Sequence, residues 1–144
     1  MSIRARQQRR GHRTLPHAAD LRIEAWAPTR EACIAETVAG LVDSFADTTG
    51  AVAVQTMTTD LAATTDEDAL VAVLDEVIYR LDTEHAVPLT VDLESRRTGV
   101  CVRLQLAAVD AVELTGAIPK AVTLHQLRLA QGPDGWFCAV TVDV

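Results

Sequence analysis

The chain has 144 residues, of which 49% are hydrophobic and 3% are aromatic, and its formal net charge at pH 7 is −7. This length fits one domain with a core of Val, Leu, Ile and Ala. The scarcity of aromatic residues argues against a stacking platform for single-stranded nucleic acid, and the acidic balance argues against direct binding of a phosphate backbone. We therefore expect any contact with RNA to be indirect.

The first 13 residues differ in charge from the rest of the chain. They contain five arginines and no acid, whereas the remainder has eight basic and 20 acidic residues. Their low hydrophobic content predicts a disordered leader over residues 1–14, and this arginine arm is the one segment suited to nucleic acid. It lacks the apolar core of a signal peptide, and no later stretch is long and apolar enough to span a bilayer. We expect a cytoplasmic protein without membrane contact, with one domain over residues 15–144.

Hydrophobic periodicity predicts a strand, a helix and a second strand in the first part of the domain. Apolar and polar residues alternate over 19–26, which is typical of a half-buried strand. Thr29 is a suitable N-cap for a helix whose apolar residues recur at helical spacing until the stop at 48–50. A strand over about 52–62 follows.

The second half begins with a longer helix and continues with strands alone. Thr65 and Asp68, three residues apart, resemble a capping box, and the apolar face that follows ends near Glu84. The later strand patterns cover 87–94, 100–108, 121–130 and 136–142, with turns at 97–99 and 132–135. The order β-α-β-α followed by an antiparallel strand meander predicts an α+β fold in a single layered domain.

The sequence contains no nucleotide-binding loop, nucleophile elbow or paired-cysteine motif. The glycines have neither G-x-G-x-x-G nor Walker-type spacing, and the serines lie in no nucleophile-elbow context. Three widely spaced cysteines, Cys33, Cys101 and Cys138, form no C-x-x-C pair, so we interpret them as core thiols. We expect no stand-alone catalytic activity.

Two acids lie at opposite ends of the predicted domain. Asp20 begins the first strand, and Asp143 ends the last strand beside Val144, which adds main-chain and terminal oxygens. If these strands are neighbours in one sheet, the oxygens converge. Hard oxygen ligands suit Mg²⁺, Mn²⁺ or Ca²⁺, so we expect a divalent-metal site at the chain ends.

Three further residues are candidates, each with a structural alternative. Lys120 is the only lysine among 13 basic residues, and its compact ammonium differs from a guanidinium as a partner for carboxylate or phosphate oxygens. The alternative is a chance surface lysine. Strand alternation predicts that His125 is partly buried and hydrogen-bonded rather than a metal ligand. His17 either bonds locally in a turn or orients Asp20.

Several separate motifs resemble the archease family. The segment His17-Ala18-Ala19-Asp20-Leu21 is similar to the family's H-T-A-D opening. Further similarities are the T-x-E-E helix start at 28–32, the second helix at 74–84, the K-A-V-T-Y-H strand at 120–125 and the W-x-x-x-V-x-x-D-[IV] ending at 136–144. The resemblance covers about residues 15–144, and its specificity comes from the order and spacing of the motifs together.

The resemblance implies an accessory protein of an RtcB-type RNA ligase. Archeases promote the metal-dependent guanylylation and multiple turnover of that ligase in tRNA splicing or RNA repair. By motif match, Asp20 and Asp143 would be the metal-binding acids, with Val144 contributing an oxygen. Lys120 would be the functional lysine, which agrees with the candidates chosen on chemistry.

The chain also departs from the family pattern. Ala18 replaces the threonine of the opening, and Leu124 replaces a tyrosine. Ile118 stands where family members usually have an acid two residues before the lysine, so a third carboxylate has no counterpart there. Glu84 is a substitute candidate, for which the alternative is a solvated helix end. Glu84, His125 and His17 join Lys120 as the candidate residues for ligase activation.

Two other function classes use the same features. A small metal-dependent hydrolase would also use Asp20 and Asp143, but it would need a positioned nucleophile or base, and we identify none. A protein-binding or chaperone-like module would need only an exposed sheet. Activity that requires an added ligase separates both classes from the accessory role.

Overall fold

The structure is a computed structural model that describes residues 10–17 and 20–144. Most of the predicted leader and two residues of the opening motif lie outside this range. The elements are β1 (Gly11–His17), β2 (Asp20–Ala27), α1 (Arg30–Asp43), β3 (Ala46–Asp47), β4 (Gln55–Ala62), α2 (Asp66–Glu84), β5 (Ala86–Arg96), β6 (Gly99–Ala108), β7 (Glu113–Leu114), β8 (Ala121–Gly132) and β9 (Gly135–Asp143). A 3₁₀ turn covers Val109–Ala111. The predicted α+β fold is confirmed.

The strands form two larger antiparallel sheets and one small one. The four-stranded sheet has the order β1-β2-β9-β8, the three-stranded sheet has the order β4-β6-β5, and β3 pairs with β7. The last four long strands make two hairpins, β5–β6 and β8–β9, one in each larger sheet. Strands β2 and β9 are neighbours, which is the condition that the predicted site at the chain ends requires.

Threonine caps begin both helices where the sequence places them. The Thr29 hydroxyl accepts the N–H of the residue three positions later at 3.1 Å, and the Thr65 hydroxyl accepts the Asp68 N–H at 3.0 Å. The Asp68 carboxylate accepts a hydrogen bond from the Thr64 hydroxyl at 2.7 Å. Helix α2 ends at His85, which has the left-handed φ of 52° common at helix C-termini.

The core lies where both helices pack against both larger sheets. Helix α1 contacts β2 and β5, and α2 contacts β8 and β5. The largest fully buried side chains include Phe45, Ile23, Ile34, Leu41, Leu70, Leu74, Leu104 and Leu106. Burial of each such side chain stabilises the fold by about 1.5–3 kcal/mol. None of the helices described here has the length and apolar character that crossing a membrane requires.

Strand β1 corrects the predicted leader. Residues 11–14, which the sequence assigned to a disordered segment, pair with β2 as part of the four-stranded sheet. The side chain of His12 attaches this edge strand to α1, because one ring nitrogen lies 2.7 Å from a Glu36 oxygen and the other 2.7 Å from an Asp43 oxygen. A strand held by polar contacts shows no hydrophobic periodicity in the sequence, so it was not predicted.

The cysteines mostly behave as the sequence predicts. Cys33 and Cys138 are buried, and Cys101 is partly exposed. Burial raises the pKa of the Cys33 thiol to about 12 and that of Cys138 to about 11. Both buried thiols therefore remain protonated and unreactive at neutral pH.

Candidate functional site

Three of the predicted site residues, Asp20, Asp143 and Lys120, meet at one end of the four-stranded sheet. The register of β2 and β9 places Asp20 directly opposite Asp143. On the other side of β9, Asp143 faces Ala121 of β8. The main-chain N–H of Lys120 donates to the Asp143 carbonyl at 2.8 Å. The neighbouring strands β2, β9 and β8 thus bring together residues from both ends of the domain.

The carboxylates of Asp20 and Asp143 lie on the same face of the sheet, and no described side chain neutralises them. Val142, the neighbour of Asp143, is fully buried, so strand alternation turns the Asp143 side chain to the outer face of the sheet. Asp143 is exposed and Asp20 is partly exposed. Among the side chains of residues 10–15 and 20–144, neither acid takes part in an ion pair. Like charges directly opposite each other destabilise a sheet, and a bound cation would remove that cost.

The donor set at this sheet end fits a hard, hydrated cation. Asp20 and Asp143 offer carboxylate oxygens, and Val144 follows with main-chain oxygen. In the part of the chain that the structure describes, no three His, Cys, Asp or Glu side chains gather as a metal site. Two acids with water completing the shell suit Mg²⁺, Mn²⁺ or Ca²⁺, whereas a structural zinc site needs a closed set of nitrogen or sulfur ligands.

Lys120 borders a groove between α2 and the segment before β8. The groove has a volume of about 520 Å³, and Ile118 and Tyr79 supply its apolar side. Asp75 and Asp82 supply carboxylates, and burial raises the pKa of Asp75 above its ordinary value. These two acids were not among the predicted site residues. Their spacing of seven residues, which places them on one helix face, was the available signal.

Glu84 and His17 have contacts that are local. The Glu84 carboxylate accepts a hydrogen bond from Arg80, one turn earlier in α2, at 2.6 Å. This pair matches the alternative of a solvated helix end. The main chain of His17 pairs with Asp20 across the β1–β2 turn, and the described atoms do not include its side chain.

The predicted burial of His125 is wrong. Its side chain is exposed, and its main-chain N–H donates to the Thr123 hydroxyl at 3.2 Å. The pairing of β8 with β9 shifts register between Thr123 and Arg128, and Gln126 has a φ of 57°. This irregularity interrupts the strand alternation on which the prediction relied.

Known proteins share both the sequence and the fold of this chain. The sequence model of the archease protein family matches residues 12–144. The chain belongs to the archease family. It is 54% identical over 136 residues to the probable protein archease of Mycobacterium tuberculosis, covering 93% of this chain and 75% of that protein. It is 26% identical over 135 residues to the protein archease of Archaeoglobus fulgidus, covering 92% of this chain and 98% of that one.

Two solved structures have the same fold at low sequence identity. The solution structure of protein 1598 from Methanobacterium thermoautotrophicum superposes with a TM-score of 0.70 at 17% identity, covering 93% of this chain and 99% of the other. The crystal structure of an archease from Thermotoga maritima, described as a possible chaperone, gives a TM-score of 0.61 at 16% identity, with coverages of 90% and 94%. The α+β architecture is therefore that of the archeases.

Proposed function

We propose that this archease-family protein is an accessory activator of an RtcB-type RNA ligase. It would promote the metal-dependent guanylylation and the turnover of that ligase in tRNA splicing or RNA repair. The observation that carries the proposal is the pair of Asp20 and Asp143, held opposite each other at an exposed sheet end with no ion-pair partner among the described side chains. Family membership supports the identity of the partner.

The residues of this chain would hold and present a divalent cation. When bound, the cation supplies positive charge and a hard Lewis acid to oxygen-rich groups. Neighbouring strands fix the main chains of Asp20 and Asp143, and the Lys120 N–H ties the start of β8 to the Asp143 carbonyl. The sheet end therefore needs little reorganisation to accept an ion, which lowers the cost of binding. The chemical steps on nucleotide and RNA belong to the ligase.

A single-turnover guanylylation assay tests this role. The cognate ligase is mixed with GTP and Mn²⁺ or Mg²⁺, with and without the full chain. We expect faster guanylylation with the chain, no activity from the chain alone, and loss of the stimulation for Asp143→Asn. Asp92→Asn, which changes an exposed acid of the three-stranded sheet, is the matched control and should stimulate normally. An unchanged ligase rate with the wild-type chain would contradict the proposal.

A chaperone-like module is the second candidate. Large apolar side chains are exposed at Val52, Val54 and Leu124, with exposed fractions of 73%, 77% and 71%. Exposed apolar side chains can bind unfolded clients. Suppression of aggregation of an unrelated client, equal for the wild type and for Asp143→Asn, would favour this function over ligase activation.

A further inference from the structure

The outer face of the four-stranded sheet carries basic and aromatic side chains. Burial of Ile23 and Cys138 shows which side of β2 and β9 faces the core, so the alternate residues point outward. One cross-strand row contains Trp26 and Phe137, and the next contains Arg13 and Arg128. We call these four residues and Arg22 the outer sheet face.

The acidic balance of the chain lies mainly on the helices. Helix α2 contains seven acids and one arginine, and α1 contains three acids and one arginine. The four strands of the sheet contain three arginines and three acids, and two of these acids are Asp20 and Asp143 at the sheet end. The outer sheet face is therefore less repulsive to an approaching polyanion than the helix side of the molecule.

The arginines of this face are only partly neutralised. Glu24 forms an ion pair with Arg13 and lies 4.0 Å from Arg22, so one carboxylate serves two guanidinium groups. Arg22 also donates to the Thr141 hydroxyl at 3.3 Å. Arg128 is exposed, and no carboxylate of residues 10–17 or 20–144 pairs with it.

Aromatic rings provide a flat apolar area beside these charges. The Trp26 indole lies over Gly11, where a side chain would overlap the ring. Phe137 faces Trp26 across the strands and is 36% exposed. Phe137 and Arg128 border a shallow cavity of about 390 Å³ at the β8–β9 turn. An aromatic ring next to a guanidinium is the combination on which a nucleobase and its phosphate bind.

We propose that the outer sheet face binds a short segment of single-stranded polynucleotide. The phosphates would contact Arg13, Arg22 and Arg128, and a base would stack on Phe137. The face extends about 20 Å along β2, at about 3.3 Å per residue, from Asp20 to Trp26. In the sequence, residues 1–10 add four arginines and no acid immediately before β1. The proposal needs neither the ligase nor a cation, so it stands apart from the proposed function.

Fluorescence anisotropy with the full chain and a labelled oligoadenylate tests the proposal at low salt, with RNA and DNA compared. We expect saturable binding that weakens by about tenfold in the double variant Arg22→Ala, Arg128→Ala. Phe137→Leu keeps apolar volume without the ring and should weaken binding about fivefold. Arg103→Ala, on the three-stranded sheet, is the control and should bind normally. The melting temperature of each variant verifies folding.

A charge-removing variant separates this proposal from ligase activation. The double variant Asp20→Asn, Asp143→Asn removes two negative charges from the end of the face, so polynucleotide binding should tighten while ligase stimulation is lost. Three outcomes would overturn the proposal. The first is that the wild type shows no saturable binding, and the second is that Arg103→Ala weakens binding as much as the double arginine variant. The third is that polyphosphate binds as tightly as the oligonucleotide and that Phe137→Leu leaves oligonucleotide binding unchanged.

Discussion

Two groups of carboxylates lie at opposite ends of the β1–β2 hairpin, and their surroundings differ. At one end, Glu36 and Asp43 each lie 2.7 Å from a ring nitrogen of His12, and Arg10 pairs with Glu36 at 3.0 Å. At the other end, Asp20 and Asp143 face each other, and the described part of the chain supplies no ion-pair partner. The described side chains therefore compensate the first group and supply no partner for the second.

The difference separates a structural role from a binding role. His12 holds β1 on α1, and Gly40 permits this, because a Cβ at Gly40 would lie 3.1 Å from two atoms of His12. Compensated acids therefore fix an edge strand. Two like charges directly opposite each other on neighbouring strands lower the stability of a sheet, and a bound cation that supplies the opposite charge removes this cost.

The largest expected effect concerns Lys120 and ligase stimulation. If its ammonium contacts metal-bound carboxylates or a ligase oxygen, Lys120→Arg should lower stimulation about tenfold or more, because a planar guanidinium cannot take the same place. The melting temperature should barely move, since exposed substitutions usually stay within about 0.5 kcal/mol. Guanylylation rates and thermal melts measure the two effects. Full stimulation would remove Lys120 from the site, and loss of folding would make it structural.

Removal of a compensated charge should destabilise the fold. Glu36→Gln breaks charge-assisted hydrogen bonds to Arg10 and His12 at a side chain that is 13% exposed. We expect a loss of about 1–2 kcal/mol in the free energy of unfolding, measured by urea denaturation. Asp92→Asn should change it by less than about 0.5 kcal/mol. Equal stability of Glu36→Gln and the wild type would show that the His12 group does not hold β1.

Removal of an uncompensated charge should have the opposite sign. Asp143→Asn relieves repulsion with Asp20, so in buffer with a chelator we expect stability to rise by about 0.2–1 kcal/mol. The same urea denaturation measures it. A loss as large as that of Glu36→Gln would mean that Asp143 has a structural partner, and the contrast between the two groups would fail.

The smallest expected effect is a change in the pKa of one surface acid, Asp68. The Thr64 hydroxyl bonds to Asp68 and holds the pKa of that carboxyl below its usual range. A depressed folded-state pKa stabilises the fold above the unfolded pKa, and the stability is lost as pH falls through the folded pKa. Thr64→Val should therefore raise the pKa of Asp68 in an NMR titration. Thr83→Val, whose hydroxyl bonds to main chain, should leave it unchanged.

Local signals predicted most of the fold and the location of the candidate site. Capping threonines marked both helix starts, turn residues marked the hairpins, and Asp20 and Asp143 could be placed together once their strands were assumed to be neighbours. Periodicity and caps act within a few residues, so they are readable in the sequence.

The errors came from contacts between distant residues. The register irregularity beside Gln126 exposes His125, and no local rule places it. Cross-strand register also brings Trp26 and Phe137 into one row, a placement that the low aromatic content did not suggest. The sequence could not show this row because register depends on the whole sheet.

Calorimetric titration with Mn²⁺ or Ca²⁺ tests whether Asp20 and Asp143 together hold one divalent cation. The wild-type chain should bind the ion, and the double variant Asp20→Ala, Asp143→Ala should show no binding while it remains folded by circular dichroism. Equal binding by the wild type and the double variant would contradict the account.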